Sequence, residues 1–147
     1  MDTIGDILDY KGEDVFSIHP SATIEEAVER MCADRVGALL VCDEGRTVGI
    51  LSERDVMKRV LLEHRATAHT RVQEAMTRDV VCVRSSAPLE QAMALMTEHR
   101  CRHLPVIDDG QLRGIVSIGD LVRAISVDQR FEIQVLTEYI VGAHPSA

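Results

Sequence analysis

Two stretches of the chain carry the same chemically useful residues at the same spacing: Gly49-Ile-Leu-Ser52-Glu-Arg-Asp55 and Gly114-Ile-Val-Ser117-Ile-Gly-Asp120. A serine hydroxyl and exposed backbone N–H groups at a helix start can hold phosphate oxygens. An aspartate one turn further on offers two oxygens that accept from adjacent sugar hydroxyls. A glycine in the preceding strand lets a ligand approach the main chain closely. The set suits a nucleoside phosphate. Ser-x-x-Asp before an apolar run is equally a capping box, in which both side chains serve their own helix. Duplication alone does not choose between the two, because a cap is inherited as easily as a site.

The elements that must position these residues are duplicated too. Val41-Cys-Asp-Glu-Gly45 recurs as Val106-Ile-Asp-Asp-Gly110, at the same offset of 65 residues. Residues 14–58 overlie 79–123 without a gap, with 16 of 45 positions identical. Two copies of this length are too few for a solenoid and point to two halves about a pseudo-twofold axis.

In each copy a β-branched run, Val15–Ile18 or Val80–Val83, predicts a strand. Apolar residues three and four apart then predict a helix, Ile24–Ala33 or Leu89–His99. Thr23 and Glu26 form a capping-box pattern, and Pro88 stands where a first-turn proline is tolerated. Asp43-Glu-Gly45 and Asp108-Asp-Gly110 supply the turns of two hairpins, Ala38–Cys42 with Thr47–Leu51 and His103–Ile107 with Leu112–Val116. A second helix starts at Ser52 or Ser117. The expected class is α+β, as two β-α-β-β-α units with short helices at either end.

The spacing divides the chain into a first unit at 1–62 with its lead-in segment, a polar linker at 63–71, a second unit at 72–126, and 127–147. Ile4-Gly-Asp-Ile-Leu8 and Val72-Gln-Glu-Ala-Met76 read as short lead-in helices. Phe131, Ile133, Val135, Leu136, Tyr139 and Ile140 read as an amphipathic C-terminal helix that caps the core or meets another subunit.

Composition narrows the function classes. The net charge of −8, from 24 acidic and 16 basic residues, argues against a nucleic-acid binder, and two Tyr, two Phe and no Trp leave few stacking platforms. The N-terminus is acidic without an apolar run, and Ala38–Cys42 is far too short to cross a bilayer, so the cytoplasm is the expected compartment. Cys32, Cys42, Cys82 and Cys101 form no CxxC pair and read as buried small hydrophobes, and no zinc ligand set is expected. There is no Walker loop, GxGxxG fingerprint or GxSxG elbow, so no catalytic residues and no enzyme are expected.

The whole unit resembles a tandem pair of cystathionine β-synthase (CBS) domains, a Bateman module. The resemblance is carried by His103-Leu-Pro-Val-Ile-Asp108 with Gly114–Asp120, and by Ala38-Leu-Leu-Val-Cys-Asp43 with Gly49–Asp55; Leu40 stands where the second copy has Pro105. It implies two related clefts that bind adenine nucleotides (AMP, ATP or NAD(H)), a homodimer, and a sensor acting on a regulated protein still to be identified. Carried over residue by residue, one cleft combines Ser52, Arg54 and Asp55 with Val83, Ala87, Arg102, His103 and Pro105. The other combines Ser117 and Asp120 with Ile18, Ala22, Gly37, Ala38 and Leu39. Arg54, Arg102 and Lys58 would make the first cleft the more cationic, with a preference for more highly phosphorylated ligands. The second has Gly119 in place of Arg54. Solvated surface is the alternative for Arg54, Lys58, Arg100, Arg102 and His103. A ligand-free dimerisation module and a nucleic-acid binder using 64–71 with 100–103 are the competing functions.

Overall fold

The structure, a computed structural model, describes residues 1–128, with side chains through residue 126. The amphipathic segment from Phe131 to Ile140 lies outside the described residues. In chain order the elements are α1 (Ile4–Lys11), β1 (Ser17–Ile18), α2 (Ile24–Asp34), β2 (Ala38–Asp43), β3 (Arg46–Ser52), α3 (Glu53–Val56), α4 (Val72–Ala75), α5 (Leu89–His99), β4 (His103–Asp108), β5 (Gln111–Ser117) and α6 (Ile118–Asp128). A π-helical stretch, Met57–Leu61, continues α3. The α+β class and the repeated strand–helix–hairpin–helix order are as the sequence predicts, with the first strand of the second copy as the exception.

The described chain packs as two compact units, Asp14–Val80, and Met1–Glu13 together with residues 81–128. The lead-in helices have therefore changed places relative to the sequence-order division at 62 and 72. Ile4, Ile7 and Leu8 of α1 are buried in the core of the second copy with Leu89, Ala92, Met96, Leu104, Val106 and Val116. Val72, Ala75 and Met76 are buried in the core of the first copy with Ile24, Met31, Leu39, Val41 and Leu51. Backbone bonds fasten each: Ile4 N–H donates to Ala87 O at 3.0 Å and Gly5 N–H to Ser85 O at 2.8 Å, while Thr77 and Ile50 exchange bonds of 2.9 and 3.0 Å. The stretch read as a linker also belongs to Asp14–Val80. Thr70 is buried, and the carbonyls of Thr67 and Thr70 accept from the first amides of α2. Those amides have no partner within their own helix.

Both hairpins use a two-residue turn with positive φ at each position, Glu44-Gly45 (49° and 79°) and Asp109-Gly110 (49° and 78°). This mirror-image turn matches the twist of the flanking strands. Each hairpin shifts register at the same place, after Val41 in one and Val106 in the other.

The copies differ in their first strand. In the first, β1 pairs in parallel with β2, and Leu40 N–H donates to Phe16 O at 3.0 Å. In the second, the run predicted as a strand, Val80–Val83, is reduced to one parallel bridge, Val83 with Val106. The residue matching Leu40 is Pro105. Proline has no N–H to give, so the bond to the position matching Phe16 cannot form.

Gly49 and Gly114 answer to a different neighbour than the sequence suggested. A Cβ on Gly49 would lie 2.8 Å from Thr77 O and 2.8 Å from Met76 Sδ, and one on Gly114 would lie 2.9 Å from Leu8 Cδ2. The close approach is made by the lead-in segments and not by a ligand. Gly49→Ala is expected to destabilise the protein by about 1–3 kcal/mol, because a backbone carbonyl cannot swing aside. Gly114→Ala is expected to cost less, because a leucine methyl can rotate away. Urea unfolding of both variants beside the parent chain checks the order.

Candidate functional site

At the end of β3, Ser52 caps α3 with extended backbone, and its hydroxyl accepts from Asp55 N–H at 3.2 Å. Asp55 Oδ2 accepts in return from Ser52 N–H at 3.0 Å and Ser52 Oγ at 3.1 Å. The other oxygen, Oδ1, accepts from Thr77 Oγ1 at 3.1 Å. Each partner of this carboxylate is neutral. Arg54, in the first turn of α3, is exposed, as is Lys58.

At the end of β5 the same reciprocal box forms. Asp120 N–H donates to Ser117 Oγ at 3.2 Å, and Ser117 N–H donates to Asp120 Oδ2 at 2.8 Å. The capping reading of Ser-x-x-Asp is thus present in both copies. It occupies one carboxylate oxygen and leaves the other with a further partner. In the second copy the partners beyond the cap are cations, one on each oxygen. Lys11 Nζ, from the last turn of α1, donates to Asp120 Oδ2 at 2.8 Å and to Ile115 O at 2.9 Å. Arg123 Nη2 donates to Asp120 Oδ1 at 2.6 Å.

Arg123 also lies over Gly119, where a Cβ would be 3.6 Å from Nη1. A positive charge thus lies beside Gly119 as well, supplied from one turn further along the helix. The cations held against a site aspartate belong to the second copy, while Arg54 and Lys58 lie exposed. Lys11 stands 109 positions from Asp120 in the chain and no spacing rule points to it. Arg123 was visible as an i, i+3 partner of Asp120.

The remaining expected site residues fall in two sets. Ile18, Ala22, Gly37, Ala38 and Leu39 belong to Asp14–Val80 with Ser52, Arg54 and Asp55; Val83, Ala87, Arg102, His103 and Pro105 belong to the other unit with Ser117 and Asp120. Ala38 pairs with Ser52 and His103 with Ser117, so each hairpin brings its first residue beside the capping serine. Gly37 O accepts from Glu53 N–H and Arg102 O from Ile118 N–H, at 3.0 and 2.9 Å, at equivalent places. Ile18 lies in β1, Leu39 is buried in β2, and Ala22 O accepts from Val72 N–H at 2.8 Å. Val83 and Pro105 share the parallel bridge region, through a 3.0 Å bond from Val83 N–H to Pro105 O. Gly37 further lines an apolar groove of about 460 Å³ with Val28, Met31, Val36, Val56 and Met57.

Two other polar clusters went unread in the sequence. Ser85 donates through both N–H and Oγ to Asp108, at 3.0 and 2.5 Å, and Arg113 bridges Asp108 to Glu13. The Ser85 hydroxyl and amide, with Arg113, hold the Asp108 carboxyl below its ordinary range. In the other unit His19 Nδ1 accepts from Ser21 N–H at 3.1 Å, which leaves Nε2 to donate to Asp43 at 3.2 Å and Ser21 Oγ to donate to Nδ1 at 2.7 Å. The His19 and Asp43 side chains are 57% and 48% exposed, so this chain orders a wet turn.

The model of the CBS domain family matches residues 4–62 and 72–127. The chain belongs to the CBS domain family. It is 36% identical over 151 residues to the mitochondrial CBS domain-containing protein CBSX3 of Arabidopsis thaliana, covering 97% of this chain and 73% of that protein. A putative signal-transduction protein with CBS domains from Burkholderia ambifaria superposes with a TM-score of 0.84 at 42% identity, over 86% of this chain and 96% of the other. A CBS domain pair solved in complex with 5′-methylthioadenosine and S-adenosyl-L-methionine superposes with a TM-score of 0.76 at 26% identity, over 86% and 98%. Among the described residues no helix is long and apolar enough to cross a membrane.

Asp120 is 7% exposed. Burial pushes its carboxyl up, but Lys11, the Ser117 amide and Arg123 together hold it below the ordinary value of 3.8. A group whose pKa is lowered by folding adds stability that is complete above its unfolded pKa and is lost as pH falls through the folded one. Asp120→Asn is therefore expected to cost about 1–3 kcal/mol at neutral pH. The deficit should shrink as the pH drops below about 4. Thermal unfolding of parent and variant from pH 7 to pH 3 reads the convergence.

Proposed function

We propose that this chain is a regulatory module that senses an adenine nucleotide of the AMP, ATP or NAD(H) class and does not itself catalyse a reaction. The observation that carries the reading is the pair of equivalent helix starts. At each, a strand delivers a serine and a carboxylate to the same place, and the carboxylate retains acceptor capacity after closing its cap. Each carboxylate oxygen has two lone pairs, so a cap bond does not exhaust it. The solved CBS pair carrying two adenosine derivatives supports the choice of adenine, as does a chain poor in aromatics, where backbone groups and aliphatic walls would read the base. Output passes through a partner protein or through assembly as a homodimer, and a ligand shifts either only by binding one arrangement better than the other. The four cysteines, expected to be buried, are instead two exposed and two half-buried, and all four thiols are free, which fits the reducing cytoplasm.

One observation favours a second reading, a structural pair without ligand: both aspartates already serve their own helices. Thermal unfolding with AMP, ADP, ATP, NAD and NADH separates the two. A ligand at a hundred times its Kd should add about 2.7 kcal/mol, and Asp55→Ala and Asp120→Ala should each remove part of that gain. If no ligand shifts the transition, and the substitutions only lower the free protein by roughly 0.5–2 kcal/mol, the structural reading stands instead.

A further inference from the structure

The two carboxylates are alike in sequence but not in what a ligand must displace. At Asp55 the further partner is the hydroxyl of Thr77. A sugar hydroxyl arriving there exchanges one neutral donor for another. At Asp120 both oxygens accept from cations, Oδ2 from Lys11 and Oδ1 from Arg123. A sugar hydroxyl arriving there competes with charge-assisted bonds, which are roughly twice as strong as neutral ones.

The two cations are held differently. The Arg123 side chain is 70% exposed and can turn into water. The Lys11 side chain is only 29% exposed, and its ammonium is also tied to Ile115 O. Lys11 therefore stays beside the site when Asp120 turns to a ligand, and its charge needs a new anion there. A phosphate carried on the same nucleoside supplies one. A neutral nucleoside does not.

We propose that Lys11, with Arg123, makes the Asp120 site select phosphorylated nucleosides over neutral ones, whereas the Asp55 site discriminates little. The proposal rests on the reading that Asp120 receives a ribose.

The test is isothermal titration of the full chain with AMP and with adenosine, in an Asp55→Asn background so that the Asp120 site is read alone. AMP is expected to bind at least about tenfold more tightly than adenosine. Adding Lys11→Met should reduce that ratio to below about threefold, mainly by strengthening adenosine relative to AMP, and Lys11→Arg should restore it. Arg123→Gln, at an exposed position, should lower the ratio part of the way and serves if Lys11→Met fails to fold. A ratio near one in the Asp55→Asn chain, or a ratio that neither Lys11→Met nor Arg123→Gln changes, overturns the selectivity while nucleotide binding stands. Absence of binding by either compound to the unsubstituted chain overturns the selectivity, and the nucleotide reading falls with it only if ADP, ATP, NAD and NADH also fail to bind.

Discussion

Each hairpin hands the chain to a helix through a reciprocal bond between a serine and an aspartate three residues later, and the candidate chemistry rests on that closure. The serine oxygen satisfies the amide of the third helical residue, and the carboxylate returns to the serine amide. Two of the orphan donors of a helix start are settled at once. The carboxylate is thereby fixed beside the strand end with one oxygen turned elsewhere. Capping and ligand binding are then compatible uses of one side chain, because the cap determines where the second oxygen points.

Which group from a distant part of the chain meets the carboxylate depends on which lead-in segment lies across the strand. In the first copy the segment after α4 runs beside Gly49 and brings Thr77 to Asp55. In the second, α1 lies over Gly114 and its last turn brings Lys11 to Asp120. The glycines are needed because the passing chain comes within 3 Å of where a Cβ would stand. The same exchange of lead-in segments completes each hydrophobic core, so packing and site electrostatics have one origin. A compact unit with a core this small needs the apolar side chains of the crossing helix.

A single substitution separates the copies at their first strand. Leu40 can donate to Phe16, and Pro105 cannot make the matching bond. The second copy consequently keeps only the Val83 bridge where the first has a strand pair. Local propensity favoured a strand at Val80–Val83, and the missing donor on its neighbour decided against one.

Much of the architecture was legible in the residues alone. The 65-residue repeat, the spacing of Leu89, Ala92 and Met96, the Glu44-Gly45 and Asp109-Gly110 turns, and the serine–aspartate boxes are all local patterns, and local patterns act through a few neighbouring residues. The exchange of α1 and α4 between copies, the close approach at Gly49 and Gly114, and the Lys11–Asp120 pair depend on contacts as far as 109 positions apart. No spacing rule encodes these, because apolar helix faces as alike as Ile4-Ile7-Leu8 and Val72-Ala75-Met76 suit either core. Only the assembled tertiary structure settles which core each one fills, and with it which carboxylate meets a cation.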